Sequence, residues 1–273
     1  MKLTKRPILH STVALMLLVH LFVHADDVIN TPEQQLPLNL IVCLYNETNK
    51  KRADEYIICL KHNRKHPQIK NLHVIYDMTN DPELCGIIPR FLKKADISTS
   101  YTDKRQTFGD CIRCANELFP NQYVILSNAD ITFDRTLGQL EDRHIKKRLL
   151  AITRSGGRTV SARYSQDCWI FETPFPLDPM LDATRVGLHD CEKPIIWVAQ
   201  KNGLRAYNPC RSIHCTHIHR SGVRHQHRNG RNMFGKMPLP LCDLEGRSGN
   251  CYRRKRSPTK KSRSQRGKKS SGN

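Results

Sequence analysis

At 273 residues the chain holds one good-sized α/β domain plus its ends. All eleven cysteines lie after residue 25, which argues against a reducing compartment, and their odd number leaves at least one free or paired outside the chain. The net charge of +20 is uneven: residues 253–273 carry ten Lys or Arg and no acid, a composition that cannot bury enough surface to fold.

Taken in chain order, Lys2, Lys5 and Arg6 precede an apolar run from Val13 to Val23 that only His20 interrupts. Val23-His24-Ala25 then presents small residues where a signal peptidase needs them. The run is short for a full membrane span. It reads as a cleaved signal peptide or a short uncleaved anchor over residues 13–25. Either delivers the body of the protein into a secretory or periplasmic space.

Leu38 to Leu44 predicts a buried strand, entered through Pro37 and followed by Tyr45-Asn46-Glu47. Lys51 to Arg64 predicts a helix, with Ala53, Tyr56, Ile57 and Leu60 on one face. Leu72 to Tyr76 predicts a second strand that stops at Asp77, before the turn-rich Met78-Thr79-Asn80-Asp81-Pro82. Thr107 to Phe119 predicts another helix and Tyr123 to Leu126 a third strand. The order β-α-β-loop-α-β implies a mainly parallel sheet covered by helices.

Farther on, Leu149 to Thr153 and Cys168 to Phe171 read as strands, and Cys191 to Asn202 as a helix with Pro194 in its first turn and Gly203 as its stop. Arg205 to Tyr207 and Ser212 to Ile218 read as extended. Residues 225–252, rich in Cys, His and Arg, read as loops tied down by cysteines, with Cys210, Cys242 and Cys251 the clearest candidates for pairing. There is no internal repeat.

Four motifs follow one another in this order: Arg105-Gln106-Thr107-Phe108-Gly109-Asp110, Ser127-Asn128-Ala129-Asp130-Ile131-Thr132-Phe133-Asp134, Ser165-Gln166-Asp167-Cys168-Trp169-Ile170-Phe171, and His217-Ile218-His219. Together with the strand ends they resemble the GT-A (nucleotide-diphospho-sugar transferase) superfamily, in a poorly characterised glycosyltransferase-like subgroup, from about Leu38 to Arg224. The resemblance implies a GT-A-like, Rossmann-like α/β fold with a mainly parallel sheet. It also implies a metal-dependent glycosyltransferase of hexosyltransferase type. Where such enzymes carry Asp-x-Asp, this chain has Asn128 in place of the first Asp.

Each candidate residue has a plain alternative. Asp130, just past a strand end, suits a hard cation such as Mn²⁺ or Mg²⁺, with Asn128 as a neutral oxygen donor beside it and Asp134 behind; the alternative is that Asp130 and Asp134 shape a turn. His217 and His219 alternate on an extended segment and so share a side. The resemblance implies that one of them completes the metal site. They can instead belong to a surface His/Arg cluster with His214, His225 and His227, or to a zinc site with Cys215 and Cys111-x-x-Cys114. Asp190 and Glu192 are candidate bases for an acceptor hydroxyl, with a helix N-cap as the other role for Asp190. Asp167 is another candidate catalytic base, and a stronger one for donor-sugar or acceptor contact, and Trp169 reads as core. The resemblance places the nucleotide near Tyr45, Asn46, Glu47 and Asp77. Arg105 can meet a phosphate with two donors at once, or stand as an exposed loop charge.

Asn46-Glu47-Thr48 is the only N-glycosylation sequon, and a glycan on Asn46 would stand in that nucleotide site. Three functions remain open at this level. One is a transferase in the secretory lumen (Golgi or ER) that moves a sugar from a nucleotide-sugar donor to a glycan or protein acceptor. Another is a secreted GT-A fold without catalysis that binds a glycan or partner. The third is a secreted basic protein that holds polyanions through its tail and its His/Arg segment, with the fold as scaffold and no DNA-specific binding expected.

Overall fold

The structure, a computed structural model, describes residues 36–155, 164–188, 191–223 and 238–248. The signal segment, most of residues 225–252, the basic tail and Asp190 lie outside the described residues. Among the described residues no helix is long and apolar enough to cross a membrane.

The chain enters through β1 (Leu38–Tyr45). Its run Leu-Asn-Leu-Ile-Val-Cys-Leu-Tyr is apolar on both faces, as a strand covered on both sides requires. Helix α1 (Lys50–Arg64) starts where the Asn49 side chain accepts a hydrogen bond from the Arg52 N–H, and Lys61, His62 and Arg64 sit in its last turn beside the negative end of the helix. Then come β2 (Ile69–Asp77), α2 (Ile87–Lys94) and β3 (Ser98–Thr102). Helix α3 (Phe108–Leu118) opens on a capping box, with Thr107 and Asp110 each accepting from the other's backbone N–H. That cap accounts for Thr107 and Asp110 of the Arg105–Asp110 motif.

Strands β4 (Tyr123–Ser127) and β5 (Ile131–Phe133) follow, then a short 3₁₀ turn and α4 (Asp142–Ile145). The remaining elements are β6 (Arg148–Ile152), β7 (Cys168–Glu172), α5 (Pro179–Asp182), α6 (Lys193–Lys201), β8 (Arg205–Tyr207) and β9 (Cys215–His217).

The main sheet has the order β3-β2-β1-β4-β7-β6-β8, and β5 pairs with β9 in a separate two-stranded sheet. Every neighbour in the main sheet is parallel except at β7, which runs against both β4 and β6. Alternate residues of β1 feed two cores. Leu40, Val42 and Leu44 pack with Ala53, Tyr56 and Leu60 of α1 and with Ile88 and Leu92 of α2. On the other face Ile41 packs with Phe108, Ile112 and Ala115 of α3 and with Ile195 and Val198 of α6. This is the mainly parallel sheet flanked by helices that the motifs imply. The sheet changes direction of winding between β1 and β4, so the carboxyl ends of those two strands flank the natural ligand crevice of such a sheet.

Several details differ from the sequence reading. The stretch between β2 and α3 is not a plain loop but holds α2 and β3. Strand β3, Ser-Thr-Ser-Tyr-Thr, is a polar edge strand without apolar alternation. The last large helix begins at Lys193 with Glu192 at its N-cap. Cys210 is disulfide-bonded, whereas Cys43, Cys59, Cys85, Cys111, Cys114, Cys168, Cys191, Cys215 and Cys242 stand as thiols. Most of these occupy strands, helices and core positions as small apolar side chains rather than loops. Cys251 lies outside the described residues.

Candidate metal and nucleotide site

Three ligand-bearing side chains converge past the carboxyl end of β4. One ligand atom each from Asp130, His217 and His219 lies within 4.8 Å of the others. Backbone pairing sets this up, because Ile131 of β5 faces His217 of β9, and the Ile218 N–H donates to the Asp130 carbonyl at 2.8 Å. The His217 and His219 rings lie nearly parallel, 7° apart, with centroids at 5.2 Å.

His217 Nε2 is 2.7 Å from Asp130 Oδ2. The same oxygen accepts from the Arg52 guanidinium of α1. Asp130 Oδ1 takes no hydrogen bond among the described residues. Burial by itself would raise the Asp130 pKa, but the hydrogen bond and charge of His217 and the Arg52 cation outweigh it and hold the carboxyl below its ordinary value. Both ring nitrogens of His219 are buried without a hydrogen-bond partner. Burial, with Arg52 and His217 nearby, lowers the His219 pKa, so the ring is held neutral. A neutral imidazole with unsatisfied buried nitrogens, beside an ionised carboxylate, is a donor set that suits Mn²⁺. The residues present therefore fit a divalent cation.

Helix α1 holds this cluster in place with residues that the sequence pattern did not single out. Arg52 donates to Glu55 at 2.7 Å, to the Ile218 carbonyl at 3.2 Å and to the Tyr56 hydroxyl at 3.2 Å. Glu55, only 5 % exposed, accepts from the Arg220 and Ser221 N–H groups and from the Ser221 hydroxyl at 3.0 Å. Asn63 donates to the Ile131 carbonyl at 2.8 Å and accepts from the Phe133 N–H, pinning β5. No sequence signal marks them, because a charged helix position reads as solvated until the fold shows it buried and paired.

The other candidates fall around this centre. Asp167 is 3 % exposed and accepts from the Arg154 N–H at 3.0 Å and its guanidinium at 3.1 Å. Burial pushes its pKa up despite Arg154. Asn128 turns its amide to Asp167 Oδ1 at 3.4 Å and its N–H to the Asp167 carbonyl at 2.9 Å. Asp134 caps the following 3₁₀ turn through the Thr136 N–H at 2.9 Å. Trp169 is core, edge-on to Phe108 at 5.1 Å. Glu192 begins α6 and makes no side-chain cap there.

At the neighbouring strand ends the Tyr45 hydroxyl donates to Glu47 at 3.2 Å and meets the Tyr56 hydroxyl at 3.1 Å. The Asn46 amide nitrogen, the atom that would carry a glycan, donates to the Asn80 carbonyl at 3.0 Å. Asp77 accepts from the Thr79 N–H at 2.8 Å and so shapes the turn after β2. Arg105 is half-buried and donates to the Val186 carbonyl at 3.1 Å, which ties its loop to residues 184–187 instead of leaving it a free exposed charge.

The zinc reading is overturned. Cys215 is buried in the core on the α1 face of the sheet and Cys111 in the core on the α3 face, so the sheet separates them.

No protein-family model and no curated protein matches the chain. Solved structures do. The mannosyltransferase PcManGT from Pyrobaculum calidifontis, in complex with GDP-Man and Mn²⁺, is similar at 14% identity and a TM-score of 0.46, over 77% of this chain and 65% of that one. The chain thus spans just under two thirds of that protein's length. TarS 1–349 of S. aureus is similar at 15% identity and a TM-score of 0.42, over 63% of this chain and 57% of that one. A 4-diphosphocytidyl-2C-methyl-D-erythritol synthase from Anaerococcus prevotii is similar at 14% identity and a TM-score of 0.32, over 60% and 96%. The strand order, the single reversed strand and the helices on both faces give the chain a GT-A-like, Rossmann-type fold.

Proposed function

We propose that the chain is a metal-dependent transferase that moves a sugar from a nucleotide-sugar donor to a hydroxyl of a glycan or protein. The observation that carries this reading is the convergence of Asp130, His217 and His219 beyond the carboxyl end of β4, with two buried imidazole nitrogens left unsatisfied. Asp130, His217 and His219 would hold Mn²⁺ or Mg²⁺. Bound there, the cation would neutralise the departing diphosphate.

The chain's own residues would do the rest. Tyr45, Glu47 and Asp77 stand at the adjacent strand ends, where a nucleoside would lie. Arg52 and Glu55 keep the His217–Ser221 segment in position. Asp190 is proposed as the base that accepts the acceptor's proton, with Asp167 shaping the floor beside Asn128. The amino-terminal segment supports a secretory-pathway setting, where nucleotide sugars are supplied in the Golgi.

A second reading has its own observation. Arg52 already neutralises Asp130, and Asn128 removes the second acid of the usual pair, as in a GT-A fold that binds a glycan or partner without turnover.

The test combines ligand binding and catalysis. A nucleoside diphosphate with Mn²⁺ should raise the melting temperature, because a ligand that binds only the native state stabilises it. Asp130→Ala should abolish that rise, and Asp190→Asn should keep it while stopping transfer. Stabilisation without hydrolysis or transfer of any common nucleotide sugar would favour the binding module. No stabilisation in the wild type would remove the transferase reading.

A further inference from the structure

On the sheet face away from Asp130, three thiols meet. Cys43 stands on β1 and packs against the α3-side core, and Cys111 and Cys114 lie one turn apart on α3. Cys43 Sγ and Cys111 Sγ are 3.1 Å apart, between residues separated by 68 positions in sequence. Packed carbon atoms rest at about 3.5–4.0 Å, and sulfur is larger, so this approach is tighter than packing alone provides. A thiol is also a weak hydrogen-bond donor, so an S–H···S contact compensates little.

We propose that Cys43 and Cys111 are a covalent modification site, an intrachain disulfide that ties β1 to α3 while Cys114 remains a thiol. The proposal stands on this contact and not on the transferase reading. It has a consequence for the strand, since the link would fix β1 two residues before Tyr45, where the nucleotide-site candidates begin.

The oxidant is a small-molecule disulfide such as oxidised glutathione. Cys43, the half-buried member of the pair, attacks as thiolate, forms a mixed disulfide and releases one thiolate. Cys111 then attacks the Cys43 sulfur and releases the second. The two cysteine protons pass to the two released thiolates, and two electrons pass from the cysteine sulfurs to the oxidant.

Cys111-x-x-Cys114 is not an exchange centre by this account. Exchange cysteines lie at helix N-termini with lowered pKa values. Here Cys111, the fourth residue of α3, is fully buried, and burial pushes the Cys114 thiol up to about 12.

The test uses the full chain incubated with oxidised glutathione, quenched in acid, alkylated and cut with trypsin without reduction. Cleavage after Arg105 and Arg113 places Cys111 in peptide 106–113 and Cys114 in the next one. The expected product is peptide 106–113 joined to the Cys43 peptide, with Cys114 alkylated. Oxidised Cys43→Ser should melt about 5–15 °C below the oxidised wild type, and Cys114→Ser should melt with the wild type. After reduction, wild type and Cys43→Ser should melt together. Alkylated Cys43 and Cys111, a link from either to Cys114, or a melting difference that survives reduction would each overturn the proposal.

Discussion

Arg52 and Asp130, 78 residues apart in sequence, form a buried ion pair that joins helix α1 to the loop after β4. Arg52 also binds Glu55 and the Ile218 carbonyl, so a single guanidinium holds together the carboxylate and the histidine segment. The arrangement is a scaffold and also a competitor, because its positive charge lies where a cation would approach Asp130.

Arg52→Gln removes the charge and most of the bonds. Leaving Asp130 to His217 alone, and Glu55 to the Arg220 and Ser221 donors, should cost about 1.5–3 kcal/mol in urea unfolding, the scale of hydrogen bonds to charged groups. The same variant should bind Mn²⁺ more tightly than the wild type wherever it remains folded. Unchanged stability would show that the pair is not held in solution.

Asn128→Asp tests why the usual acid is missing. Its amide faces Asp167, whose carboxyl is already pushed up by burial. A second carboxylate there should destabilise the fold by about 1–3 kcal/mol near neutral pH, with recovery as the pH falls and one of the pair takes up a proton. Equal stability of variant and wild type from pH 5 to 7.5 would contradict this.

His73 supplies a pH signature distant from the site. It is buried on β2 between the Ser98 hydroxyl at 2.8 Å and the Ser100 hydroxyl at 3.0 Å, and burial lowers its pKa. A histidine held neutral binds its proton more readily when unfolded. Its contribution is therefore complete above the unfolded pKa of about 6.5 and is lost as the pH falls from there toward the folded value. Melting temperatures from pH 7.5 to 5 should fall more steeply for the wild type than for His73→Gln, and parallel curves would refute the assignment.

The strands most legible in the sequence were β1, β4 and β7, whose apolar runs are broken inside only by Asn39 of β1, because burial on both faces leaves no ambiguity of face. Strand β3 and helix α2 were missed because α2 is only eight residues long with Pro89 in its first turn, and β3 is a five-residue polar edge strand. In the site, Asp130, His217 and His219 were legible because each stands out chemically at a strand end or on alternating positions. Arg52, Glu55 and Asn63 were not. Their partners lie 68 to 166 positions away, so only the fold reveals that the polar side of α1 faces inward.

The most direct test of the central claim is Mn²⁺ titration of the full chain, with free ion followed by electron paramagnetic resonance. The account predicts one Mn²⁺ bound per wild-type chain, tightened by a nucleoside diphosphate and lost in both Asp130→Asn and His219→Ala. Wild-type protein that leaves all Mn²⁺ free, or variants that bind it as the wild type does, would contradict the claim that Asp130, His217 and His219 form a metal site.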